Sequence, residues 1–262
     1  MANINSDRTE YLKQERSAPW REELRKSKKN KERTDIHRVE MPSAPPMERA
    51  RSYVEVNMGL TVEEAVVEAS RCIDCPDPTC VQGCPVGVNI PKFIKNIERG
   101  EFLEAAKTLK DTNTLPAVCG RVCPQEKQCE SNCFYKIKMN REPVAIGYLE
   151  RFAADYEQNS GNISVPEVAP SNGRKVAVIG SGPAGLAFAG DMAKLGYEVH
   201  ILEALHEIGG VLKYGIPEFR LPNKVVDVEI ENLRKMGVKF ETNFIVGKTA
   251  TIDDLREEGF EG

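Results

Sequence analysis

The sequence predicts two parts of different construction: an all-helical N-terminal region, then the first part of a parallel α/β unit. Three observations carry this. Eight cysteines fall in two tight groups between residues 72 and 133, among helical patterns and with no convincing strand. A β-branched run at Lys175–Ile179 leads into a glycine loop, a helical stretch and a second strand at Tyr197–Leu202, the order of a βαβ unit. Between them, residues 160–173 are a Pro/Gly/Ser/Asn mixture that reads as a linker.

Taken in order, residues 1–45 are a polar N-terminal extension, with a basic run at Lys26–Arg33 read as a solvated helix or a disordered tail rather than a docking arm. Pro42, Pro45 and Pro46 interrupt any helix there, and structure is expected from about Met47. Thr61 and Glu64 have the spacing of a capping box, and Val62, Ala65, Val66 and Ala69 continue the helix towards Cys72. The first cysteine stretch is rich in Pro and Gly and reads as an irregular loop. Asn89 caps the next helix, with Pro91 in its first turn and Gly100 at its end. A third helix carries Phe102, Leu103, Ala106 and Leu109. The second cysteine group starts in a loop after Pro116, and a last helix runs through Ile146, Leu149 and Phe152. The expected domains are a helical one at 46–160, a linker at 161–173 and an α/β one at 174–262, the last with a helix through Val225–Leu233 and a strand at Val238–Phe240.

The 262 residues carry a formal net charge of −4, which argues against general nucleic-acid binding. No apolar run reaches the ~18–20 residues that span a bilayer, so no membrane role is expected. The N-terminus opens polar, unlike a secretory signal. The expected location is therefore cytoplasmic, where clustered thiols are metal ligands more often than disulfides.

The cysteines read C-x2-C-x4-C-x3-C-P (Cys72, Cys75, Cys80, Cys84) and C-x3-C-x5-C-x3-C (Cys119, Cys123, Cys129, Cys133). Zinc sites pair two short knuckles across a longer gap. Four cysteines within thirteen residues, ending in Cys-Pro, are closer to the bacterial ferredoxin run, whose fourth cysteine reaches over to the other cluster. Two 4Fe-4S clusters are expected, with Cys84 joining the second group. A structural zinc module and a disulfide framework are the weaker readings.

Gly180-Ser-Gly182-Pro183-Ala184-Gly185 follows a strand and opens a helix, as a dinucleotide fingerprint requires. The first glycine permits the turn, the second admits a pyrophosphate, and the third lets helix and strand approach. Glu203, at the end of the second strand, is placed to accept hydrogen bonds from ribose hydroxyls and to repel a 2′-phosphate. The motif alone does not choose between FAD and NAD. Ser181 is read as part of the loop, and His200 and His206 as structural. No catalytic acid, base or nucleophile is expected.

Leu115–Pro124, Glu142–Phe152 and Glu203–Pro222 resemble the small (beta) subunit of NADPH-dependent glutamate synthase, in a likeness running from about Arg38 to the end. The same module is similar to the N-terminal part of dihydropyrimidine dehydrogenase and to the large subunit of electron-bifurcating NADH-dependent ferredoxin:NADP oxidoreductase. The resemblance implies FAD in a Rossmann-like domain, with Gly209, Gly210 and Gly215 also at the cofactor. It implies one cluster on Cys72, Cys75, Cys80 and Cys133. The other is implied on Cys84, Cys123, Cys129 and Glu150, with Cys119 as the alternative to Glu150. It further implies electron flow from NADPH through FAD and the clusters to a partner, the glutamate synthase large subunit or an equivalent acceptor, in a hetero-oligomer. NADPH would enter only through a C-terminal part beyond these residues, so the chain is expected to be a fragment or split piece, inactive alone.

Overall fold

The structure is a computed structural model that describes residues 2–262, with side chains from Arg8 onward. It divides into two compact units, residues 1–43 with 57–162, and residues 44–56 with 163–262. This differs from the expected boundaries: the segment around Met47 belongs with the second unit, and regular structure starts long before it.

The first unit begins with α1 (Ala2–Arg16), α2 (Pro19–Ser27) and α3 (Asn30–Thr34). Pro19 stands in the first turn of α2, where its missing N–H costs nothing. The stretch read as a solvated extension is anchored instead: Arg21 and Arg33 are 2% and 0% exposed. The reason is long-range. Arg21 pairs with Asp74, and Arg33 with Glu98 at 2.7 Å, so partners far along the chain draw these charges inward.

After α4 (Pro46–Arg49), which lies in the second unit, come α5 (Val62–Ser70), α6 (Thr79–Gln82), α7 (Ile90–Glu98) and α8 (Phe102–Lys110). The Thr61–Glu64 capping box forms, with Glu64 N donating to Thr61 Oγ1 at 3.2 Å and Thr61 N to Glu64 Oε2 at 2.8 Å. Asn89 caps α7 by accepting from Lys92 N at 3.3 Å. Helix α7 is central: Phe93, Ile94 and Ile97 are at most 1% exposed, and each such burial contributes about 1.5–3 kcal/mol.

The unit closes with α9 (Pro116–Val122), α10 (Phe134–Met139) and α11 (Ile146–Ser160). Cys119 therefore sits in a helix rather than the expected loop. Pro116 occupies the first turn, where it is tolerated. Gly120 lies where α11 comes closest, since a Cβ there would meet Arg151 N at 2.5 Å. Leu109, Leu149 and Phe152 complete this core.

In the second unit β1 (Lys175–Ile179), α12 (Pro183–Lys194) and β2 (Glu198–Leu202) form the expected parallel βαβ unit. They are followed by α13 (Val211–Tyr214), α14 (Asn223–Lys235), β3 (Lys239–Glu241) and α15 (Ile252–Glu257). The sheet order is β1-β2-β3, all parallel. Ile201, Leu186, Val226 and Leu233 are fully buried beside it. On the other edge of β1, Phe260 bridges Lys175 in parallel, and Ala177 N donates to the Gly262 carbonyl at 2.9 Å. The last residues thus lie alongside β1 through an isolated parallel bridge. No helix among the described residues is long and apolar enough to cross a membrane.

Candidate functional site

The cysteines regroup across the two sequence clusters. Cys72, Cys75 and Cys80 line one cavity together with Cys133, from the other group. Its walls are apolar, including Ile73, Ile90, Ile94, Phe134 and Ile146. The space between the side chains is about 30 Å³, enough for about one water, so the donor set rather than the void is what fits a cluster. Burial pushes the Cys75 thiol up to about 12, with the charges of Cys72 and Cys133 adding to it. Burial likewise raises Cys80 well above the ordinary thiol value, with Cys72 and Cys133 next in weight.

Cys84 is not in that cavity but faces a broader hollow of about 790 Å³ with Val81, Leu12 and Pro78. Its charge reaches Cys129, whose thiol is pushed up by burial, then by Glu150, Glu130 and Cys84. Glu150, on α11, is buried at 8% exposure rather than solvated. Asn113 Nδ2 donates to its Oε1 at 2.8 Å, and Asn113 Oδ1 accepts from Cys119 Sγ at 3.5 Å. A hydrogen bond with Cys119 pulls Cys123 down to about 7; the same bond, then burial and Glu150, pushes Cys119 up. Cys84, Cys119, Cys123, Cys129 and Glu150 therefore form a second neighbourhood, which holds both Cys119 and its alternative.

Among the described residues no three His, Cys, Asp or Glu side chains have the geometry to hold a single metal ion. Zinc needs four donors within about 2.0–2.3 Å of one point. An iron–sulfur cluster takes each thiolate on a different iron, so a ring of cysteines around a cavity suits it.

Several residues at this site carried no sequence signal. Asp74, inside the Cys72–Cys75 loop, is fully buried with φ +53°, a left-handed conformation that Asp tolerates better than most. Arg21 and Arg25 pair with its carboxylate, Arg25 at 2.5 Å, and Arg16 Nε donates to its carbonyl at 2.8 Å. Lys95, fully buried, donates to the Cys72 carbonyl and pairs with Glu98, each at 2.5 Å. No local motif links residues 23 to 58 positions apart, so only the folded chain brings them to the loop.

In the second unit the glycine loop has the required geometry. Gly180 has φ +96°, and a Cβ on Gly185 would lie 2.2 Å from the Gly180 carbonyl oxygen. Nothing lies within 4 Å of a Cβ position on Gly182, which leaves open the approach a pyrophosphate would use. Pro183 and Ala184 are exposed in the first turn of α12. Gly209 N donates to Ser181 Oγ at 3.0 Å, and a Cβ on Gly210 would stand 2.9 Å from Gly182 Cα. These two glycines close against the loop, whereas Gly215 caps α13. Glu203 is 6% exposed. Its Oε2 accepts from Ser181 N at 2.7 Å and Ser181 Oγ at 2.6 Å, and its Oε1 from Leu205 N at 2.8 Å. Burial opposes its ionisation, but these hydrogen bonds outweigh it and hold the carboxyl below the ordinary range. The backbone of Ala204 also hydrogen-bonds this carboxylate, so the loop and its flank engage it from several sides.

Comparison with known proteins agrees with this partition. Residues 49–162 match a family described as dihydropyrimidine dehydrogenase domain II, 4Fe-4S cluster, and residues 178–239 match an NAD(P)-binding Rossmann-like domain. The NAD-dependent dihydropyrimidine dehydrogenase subunit PreT of Escherichia coli O157:H7 is 42% identical over 204 residues, which is 78% of this chain and 49% of PreT. The glutamate synthase [NADPH] small chain of Escherichia coli K12 is 38% identical over 84% of this chain and 46% of its own length. That of Azospirillum brasilense is 37% identical over 82% and 44%. The chain is homologous to these redox subunits. It spans about half the length of the relatives it matches. The resemblance to the glutamate synthase small subunit and to the 4Fe-4S module of dihydropyrimidine dehydrogenase is thereby shown. Residues 49–162 thus resemble a 4Fe-4S module and residues 178–239 a Rossmann-like NAD(P)-binding domain, in the order the sequence predicts.

Proposed function

We propose that the chain carries electrons between FAD and a partner subunit through two 4Fe-4S clusters. Cys72, Cys75, Cys80 and Cys133 hold the first cluster. Cys84, Cys123, Cys129 and Glu150 hold the second, with Cys119 beside it as a half-buried thiol. The observation that carries this reading is Cys133 lining one cavity with three cysteines more than fifty residues earlier. That exchange is what ferredoxin-like cluster pairs require.

When bound, such clusters exchange single electrons and a flavin exchanges them singly or in pairs. The residues of this chain provide the setting. The apolar walls around Cys72 and Cys133 leave room for about one water. Asn113 fixes the Glu150 carboxylate through its Oε1. Glu203 holds the glycine loop through both Ser181 donors. The open face of Gly182, at the start of α12, gives phosphates a helix N-terminus to meet. NADPH as the source and a hetero-oligomeric assembly belong to the whole protein. The relatives' names supply two settings for the partner, a glutamate synthase and a dihydropyrimidine dehydrogenase.

Iron and acid-labile sulfide analysis tests the reading: about eight irons and as much sulfide per chain are expected for two 4Fe-4S clusters, and zinc without sulfide overturns it. Glu150→Ala is expected to change the spectrum of one cluster only, while Cys119→Ala leaves both as they are. The reverse pattern makes Cys119 the ligand.

A further inference from the structure

Three guanidinium groups from α1 and α2 meet on one residue of the first cysteine loop. Arg21 and Arg25 pair with the Asp74 carboxylate, and Arg16 donates to the Asp74 carbonyl. Asp74 lies between Cys72 and Cys75 and is wholly buried. Arg25 also donates to the Arg16 carbonyl at 2.9 Å, which ties the two helices together over the loop. Guanidinium stays protonated under all ordinary conditions. Three positive charges face one carboxylate, so the constellation is cationic.

Arg21 adds a second, independent observation. It is 2% exposed, and its Nη1 is a buried donor without a hydrogen-bond partner in the protein. A buried unpaired donor is costly, and a ligand that accepts from it removes the cost. Arg16, for its part, lies close enough to Cys75 for the two charges to interact.

We infer that Arg16, Arg21 and Arg25 form a cationic cap that raises the reduction potential of the cluster on Cys72, Cys75, Cys80 and Cys133. The inference rests on the electron-transfer reading above. On reduction the cluster gains one electron and no bond is made or broken, so its negative charge rises by one. Fixed positive charge in a poorly screened site favours that reduced form. The cap lies in residues 16–25, ahead of the matched 4Fe-4S region that starts at residue 49. The N-terminal helices thus tune the cluster through the Asp74 loop.

The test is a redox titration of the full chain with dithionite, followed by electron paramagnetic resonance, with the first cluster identified as the signal lost in Cys75→Ser. At the potential that half-reduces the wild-type cluster, Arg25→Gln is expected to lower its reduced-to-oxidised ratio about tenfold, a 59 mV shift for one electron. Arg25→Lys keeps the wild-type ratio. Asp74→Asn, which removes the one negative charge, raises the ratio. Opposite shifts are the signature of charge, because a merely loosened loop moves both variants the same way. Unchanged ratios, or shifts of one sign in both, overturn the inference. If Arg25→Gln fails to load iron, Arg16→Gln is judged by the same criterion. Wild-type protein without iron and sulfide overturns the electron-transfer reading itself, before any variant is made.

Discussion

Glu203 shows how one side chain serves both fold and candidate site. Its carboxylate receives three hydrogen bonds from the Ser181 and Leu205 groups and is almost fully buried. Its pKa is lower in the folded chain, so the carboxylate stabilises the fold above the unfolded-state value of about 4.3. That contribution is lost as pH falls through this value and then through the depressed folded one. Glu203→Gln is therefore expected to cost about 2 kcal/mol near neutral pH. The gap between variant and wild type should close as pH drops below about 4, as measured by urea unfolding at a series of pH values. A gap constant from pH 7 to pH 3 contradicts the assignment. The position of Glu203 was legible, because a strand-terminal acid after a glycine loop is a local pattern. Its bonds to Ser181 were not, since the motif describes what meets a ligand and not what braces the loop.

At the scale of elements, two glycines of the same loop have different physical tasks. A Cβ on Gly185 would collide with the Gly180 carbonyl, whereas one on Gly182 enters open space at φ −65°. Gly185→Ala is expected to destabilise the second unit by about 1–3 kcal/mol through overpacking. Gly182→Ala should leave the melting temperature unchanged yet abolish nucleotide binding, read by FAD fluorescence titration. Equal effects on both measurements in the two variants contradict this division.

The helix ends were readable where partners sit three residues apart, as with Thr61 and Glu64 or Asn89 and Lys92. Helix α9 was not. Pro116 and Gly120 look like breakers in sequence, but one starts the helix and the other makes room for Arg151. The same holds for α2 and α3. Their charges read as solvated because Asp74 and Glu98, which bury them, lie 49 to 65 positions away.

At the scale of the whole molecule, the two kinds of candidate site fall in different units. The buried thiols gather in residues 57–162 and the glycine loop in residues 163–262. Ligands that bind only the folded state stabilise the part that holds them. Stripping iron with a chelator and oxidant is expected to lower the calorimetric transition of the first unit by at least about 5 °C. The transition of the second should stay in place, and a common shift of both contradicts the separation. The cysteine count and the glycine fingerprint announced the two sites from the sequence. The pairing of Cys133 with Cys72 did not come from spacing, which sent Cys84 to the other group but did not say which cysteine replaces it.

The assignment of residues 44–56 to the second unit has a consequence for engineering. The backbone passes between the units three times, at 43/44, 56/57 and 162/163. Val56 N donates to the Phe219 carbonyl at 3.0 Å within the second unit. A nucleotide-binding half transplanted at the proline-rich linker would leave that piece of itself behind in the donor. A working chimera has to be spliced at all three crossings.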